Sequence, residues 1–174
     1  MPKRKILKVG ELSEDNQKFL TVLNSESDLS VIIIAVSFID ACLASLLRIK
    51  FKKSSVSDRL LSTSGVVGSV SARLDICYAL DLVPKDMYQD IGILLQIRNE
   101  VAHHHFELDF EIQTVNDFCE KLQYVKNTKF DNTNDTSMLD QFMVGPRNRF
   151  VLTAVFISQR LMLIGLGLER SASV

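Results

Sequence analysis

Arg98-Asn99-Glu100-Val101-Ala102-His103-His104-His105 gathers all three histidines of this 174-residue chain into one block. An apolar run at 91–97 precedes it, so the block reads as the C-terminal half of a helix. At roughly 100° per residue, Asn99 and His103 (i, i+4) fall within about 40° of each other. The long Arg98 side chain can curl toward the same patch. A histidine so placed could take or give the proton of a ribose 2′-hydroxyl, while the arginine stabilises charge on a phosphate. One copy of each is sparse, and a two-fold dimer would double them across an interface. The structural alternative has Arg98 bridging to Asp40 or Asp75, with Asn99 and His103 bonded to backbone or to a neighbouring helix.

The other candidate groups are weighed the same way. Asp40 sits inside an apolar helical stretch and needs a partner or a proton; Arg73 and Arg98, each with an apolar flank, are the cations on offer. Glu100-x-x-His103 has the spacing of a di-iron bundle ligand pair, but no second copy exists. Three adjacent histidines project about 100° apart on a helix and cannot share one ion, so neither a metal nor another cofactor is expected. Gly65-Val66-Val67-Gly68-Ser69 precedes a helix and could cradle an anion with its amides. It lacks the lysine and the preceding strand of a P-loop, and reads better as a turn with a helix cap. The same region mimics a helix-turn-helix, yet its second helix, about 69–80, carries Arg73 almost alone as a cation. Reading DNA needs several such groups.

These groups must be positioned by helices. Apolar residues make up 47% and charged residues 24% of the chain, as in a soluble globular protein. Three prolines and seven glycines leave little for the turns of an all-β fold. The net charge of −1 divides into +3 over residues 1–59, −7 over 60–145 and +3 over 146–174. The strongly basic footprint of a nucleic-acid binder is absent. Cys42, Cys77 and Cys119 are odd in number, widely spaced and set among apolar residues; they read as buried reduced thiols of a cytoplasmic protein. No signal peptide is visible at the start. Two stretches, 29–47 and 150–168, approach membrane-span length. The first carries Asp40 and the second Gln159 and Arg160 in mid-span, so both read as central helices of a soluble bundle.

Along the chain, residues 1–12 form a basic, flexible tail, and 13–170 one helical domain. Ser13 caps a first helix to about Leu23, with Phe19, Leu20 and Leu23 as its apolar stripe. Asp28 caps a long helix over about 29–50, whose basic end suits the helix dipole. A short helix at 56–61, a glycine-containing turn, and a helix from Ser69 to about Leu82 follow. Pro84 stands in the first turn of the helix that runs to the histidines. Residues 107–112 alternate enough for a strand, though a loop into a helix at 112–125 fits better. A polar loop at 127–137, a short helix near 138–143 and a long helix over 147–168 complete an all-α, single-domain bundle of seven or eight helices. The apolar helices at 29–47 and 151–168 leave room for a homodimer seam.

Three blocks, taken together, resemble a known family: Phe38-Ile39-Asp40-Ala41-Cys42-Leu43; Gly68-Ser69-Val70-Ser71-Ala72-Arg73-Leu74 with Tyr78-Ala79-Leu80; and Ile97-Arg98-Asn99-Glu100-Val101-Ala102-His103-His104. They resemble the mannitol operon repressor family (MltR-like proteins), in order, over roughly residues 13–168. The resemblance implies an all-helical cytoplasmic bacterial protein tied to repression of sugar-alcohol uptake genes. No DNA-binding element accompanies it, so a regulatory protein partner is expected. Arg98, Asn99 and His103 also resemble the Arg-polar-x3-His motif of HEPN domains. That likeness implies the alternative, a metal-independent ribonuclease or RNA-binding module with those three residues as its site. On the regulator reading no residue is catalytic. Asp40, Arg73, Asp75, Arg98, Asn99 and His103 then form a buried polar network or a partner groove. Direct DNA contact through Lys3–Lys8 and Lys50, Lys52 and Lys53 is the third reading, marked by steep salt dependence.

Overall fold

The computed structural model describes residues 14–103, 109–127, 140 and 144–172. Among them the order is α1 (Glu14–Ser25), α2 (Asp28–Lys50), α3 (Ser55–Leu61), α4 (Val70–Ala79), α5 (Lys85–His103), α6 (Gln113–Glu120), α7 (Tyr124–Asn127) and α8 (Gly145–Ala172), with no strand. The all-α reading holds. Ser13, the 128–137 part of the polar loop and most of the expected short helix near 138–143 lie outside the described residues.

The two most apolar helices, α2 and α8, pack along each other at the centre. α1 covers one side of this pair, α4 and α5 lie against α2, and α6 and α7 close over α8 and α5. Ile32, Ile39, Leu43, Leu46, Ile91, Leu94 and Phe150 are fully buried between them. By length and composition alone α2 and α8 could each cross a membrane. Two mid-helix polar side chains, one on each helix, are instead partnered inside the bundle. Asp40 of α2 meets Arg73, and Gln159 of α8 accepts a hydrogen bond from buried Asn16 of α1 at 2.9 Å. That is the behaviour of core helices.

Helix starts follow short-range chemistry. Ser27, Ser54 and Ser69 cap α2, α3 and α4, each hydroxyl accepting from the amide three residues on. Ser27 thereby displaces Asp28 from the capping role expected of it. Asp28 lies in the first turn of α2, where its carboxylate accepts from the Phe110 amide and from Arg147.

Two helix ends differ from expectation. α4 stops at Ala79 rather than near Leu82, because Asp81 adopts a left-handed φ of 56°. The Asp81 amide donates to the Tyr78 carbonyl and the Leu82 amide to that of Cys77. This is a Schellman close in which aspartate holds the place usually given to glycine. The single helix expected over 112–125 divides into α6 and α7. The break falls where the buried Asp90 carboxylate of α5 accepts from the Gln123 and Tyr124 amides, at 3.0 and 2.7 Å. A side chain 33 residues away thus caps α7.

Candidate functional site

α4 and α5 carry most of the singled-out residues, Arg73 and Asp75 on the first and Arg98, Asn99 and His103 on the second. Arg73 of α4 is buried, and each nitrogen of its guanidinium is engaged. Nη1 lies 2.7 Å from each carboxylate oxygen of Asp40; Nε donates to the Val67 carbonyl at 3.0 Å and Nη2 to that of Leu61 at 3.1 Å. The arginine therefore ties α2, the end of α3 and the α3–α4 turn together. Glycine is required in that turn by close backbone approach. A Cβ at Gly65 would sit 2.2 Å from the Arg59 carbonyl oxygen, and one at Gly68 2.5 Å from that of Thr63. The Gly65, Val67 and Gly68 amides are consumed by carbonyls of the turn itself and of Leu60. They are not free to cradle an anion, so the turn-and-cap reading is the one the geometry favours.

Asp75, two residues after Arg73 and so on another face of α4, accepts from the Tyr88 hydroxyl of α5 at 2.9 Å. That hydrogen bond, and then the carboxylate's charge, push the Tyr88 phenol above its ordinary pKa. The Tyr88 ring stacks on Tyr78, with centroids 4.5 Å apart. With Asp40 held by Arg73 and Asp75 by Tyr88, Arg98 bridges to neither among the described residues. It is half-buried and donates to its neighbour Asn99 at 2.9 Å. The backbone of α5 carries His103 one turn beyond Asn99. Its side chain, His104 and His105 lie outside the described residues.

Between α4 and α5 runs a groove of about 390 Å³, from Ser71 and Asp75 past Tyr88 and Gly92 to Asn99. Sequence reasoning passed over Tyr88, Gln89, Gly92 and Gln96, which line it. The available signal was Gly92, a glycine in mid-helix with no turn to make. Among the described residues no three His, Cys, Asp or Glu side chains gather as ligands of one metal ion would.

Residues 15–163 match the family described as mannitol repressor. In shape the chain is similar to one in the X-ray structure of the MtlR–HPr complex from Escherichia coli. The TM-score is 0.67 at 21% identity, covering 86% of this chain and 99% of that one. It is also similar to a possible transcriptional regulator, YggD, from Shigella flexneri, with a TM-score of 0.64 at 16% identity, covering 86% and 97%. At these identities the likeness carries the fold. No curated protein matches the sequence.

Proposed function

The chain belongs to the mannitol repressor family, and from that membership we propose that it represses sugar-alcohol uptake genes by engaging a protein partner, without reading DNA through an element of its own. The observation that carries this is Arg73. It is the only cation on α4, the helix that would have to enter a groove of DNA, and it is 8% exposed with each guanidinium nitrogen bonded to Asp40, Leu61 or Val67. A recognition helix without a free cation or several polar contacts cannot position itself on phosphates.

The E. coli relative is seen with HPr, and a partner of that kind is the one we assign here. The helical domain, residues 13–170, would supply the binding surface, and residues 1–12 a basic tail. The setting is cytoplasmic, with no membrane, metal or catalytic step required, and a homodimer is compatible with it. Arg48, Lys50, Lys52 and Lys53 are exposed and would be the contacts if DNA were bound directly.

The test is a titration of the isotope-labelled chain with HPr and, separately, with operator DNA at two salt concentrations. Saturable shift changes with HPr, and only weak, salt-sensitive association with DNA, are expected. Specific operator binding that survives neutralisation of the exposed lysines, without HPr binding, would overturn the reading. So would RNA cleavage, in the presence of EDTA, that is lost in a normally folded His103→Ala variant; that result would instead establish the HEPN-like alternative of Arg98, Asn99 and His103.

A further inference from the structure

We propose that the α4–α5 groove binds a small, neutral, polyhydroxylated molecule of the linear sugar-alcohol class. Such a ligand presents hydroxyls along a C–H chain, each both donor and acceptor, and carries no charge. It needs mixed hydrogen-bonding groups on the rims, an apolar floor, and no cation. The groove has this composition. Asp75 keeps carboxylate lone pairs beyond the one taken by Tyr88. The Gln89 and Gln96 amides and the Ser71 hydroxyl have no hydrogen-bond partner among the described residues, and each lines the groove. The Asn99 oxygen is occupied by Arg98, which leaves its amide group to donate. Leu74, Ile93 and Leu95 supply the apolar part.

Among the described residues no lysine or arginine lines the groove, and Asp75 would repel an anion. A phosphate, nucleotide or carboxylate is therefore a poor match. Gln89 and Gln96 stand about two helical turns, roughly 10 Å, apart on α5. An extended six-carbon polyol with its terminal hydroxyls spans that distance.

Gly92 lies between them and is the independent observation. A glycine in mid-helix weakens the helix relative to alanine. Close packing does not ask for it, because a Cβ built there meets nothing within 4 Å. What the missing side chain does provide is an open floor midway along the groove.

The purpose of this site, as a sensor of the sugar alcohol, rests on the regulator reading; its occupancy does not. The experiment uses the full chain, with D-mannitol, sorbitol and mannitol 1-phosphate as probes, followed by calorimetry and amide shift mapping. Saturable binding of the two neutral polyols is expected, with shifts confined to α4 and α5. Gly92→Leu should fill the floor and abolish binding without lowering the melting temperature, since leucine is the better helix former. Gln96→Ala should weaken binding by about tenfold, the loss of one hydrogen bond.

No binding by the wild type, binding unchanged in Gly92→Leu, or tighter binding of the phosphorylated polyol would each overturn the proposal. An HPr titration on the same samples separates the two readings. HPr binding without polyol binding removes the site and leaves the regulator. Polyol binding without HPr binding does the opposite.

Discussion

Asp40 and Arg73 meet across α2 and α4 with Nη1 at 2.7 Å from both carboxylate oxygens, and the same guanidinium holds the Leu61 and Val67 carbonyls. The arginine side chain is 10% exposed and the aspartate 32%. Removing the carboxylate leaves a charge inside the bundle without its counterion. Asp40→Ala is expected to cost about 2–3 kcal/mol, between the values for exposed and for fully buried pairs. Urea denaturation measures it; a loss below about 1 kcal/mol would mean that water replaces the carboxylate.

Arg98 provides the contrast. Its described hydrogen bond goes to the adjacent Asn99 at the surface, and no other helix depends on it among the described residues. Arg98→Ala should change stability by about 0.5 kcal/mol or less. A large drop in the same denaturation series would place Arg98 in a network after all.

Asp90 should behave as a cap acting from another helix. Asp90→Ala strips the Gln123 and Tyr124 amides of their acceptor and is expected to cost about 2 kcal/mol, while Asp90→Asn keeps an acceptor and costs less. Burial pushes this carboxyl above its ordinary pKa, against the opposing pull of the two amides. The folded state therefore holds the proton more tightly than the unfolded chain. Between the unfolded value of about 3.9 and the raised folded value, the contribution of Asp90 to stability falls as pH climbs and returns on acidification. Stability measured from neutral pH down to about pH 4 should rise in the wild type relative to Asp90→Asn. A parallel course of the two curves would contradict this.

The features legible in the sequence are those set by neighbours a few residues apart. Ser69 caps α4 through the amide of Ala72, and the i, i+4 spacing of Phe19 and Leu23 marks the buried face of α1. Asp40 was recognisable as a residue in need of a cation, and Arg73 was one of the two candidates. The misses are non-local or break a preference. Nothing near Asp90 announces that it will end one helix and begin another 33 residues later. Asp28 has the composition of a cap, but Ser27 takes that place and Asp28 serves Arg147 and Phe110. Asp81 closes α4 in a conformation whose usual mark is glycine. The groove escaped because Gln89, Gln96 and Ser71 are ordinary surface residues until α4 and α5 are set side by side.

The three cysteines should be slow to alkylate in the folded protein. Burial pushes Cys42 up to about 11 and Cys77 and Cys119 to about 12, and the thiolate is the reactive form. At about pH 8 only about one Cys42 in a thousand is ionised. Cys42 is the least buried of the three and lines an apolar groove between α2 and α8. It should be modified first by iodoacetamide, with Cys77 and Cys119 following only on unfolding. Timed mass spectrometry with and without denaturant checks the order. Equal rates for all three in native protein would show that the core opens freely.

Arg147 joins parts of the chain that no sequence pattern connects. Its guanidinium donates to the Asp28 carboxylate 119 residues away, to the Leu23 carbonyl at 3.1 Å and to that of Glu26 at 2.7 Å. Asp28 in turn accepts from the Phe110 amide at 3.1 Å. One side chain at the start of α8 thus satisfies carbonyls at the end of α1 and orients an acid that anchors the approach to α6. Arg147→Met keeps the apolar stem and removes the fork. It is expected to cost about 2–3 kcal/mol and to speed hydrogen exchange in the last turn of α1 before the rest of the bundle. Arg147→Lys should recover only part of the loss, because a single ammonium cannot span a carboxylate and two carbonyls held in different directions. If the lysine variant matched the wild type in both stability and exchange, charge at this junction would be sufficient and the fork geometry incidental.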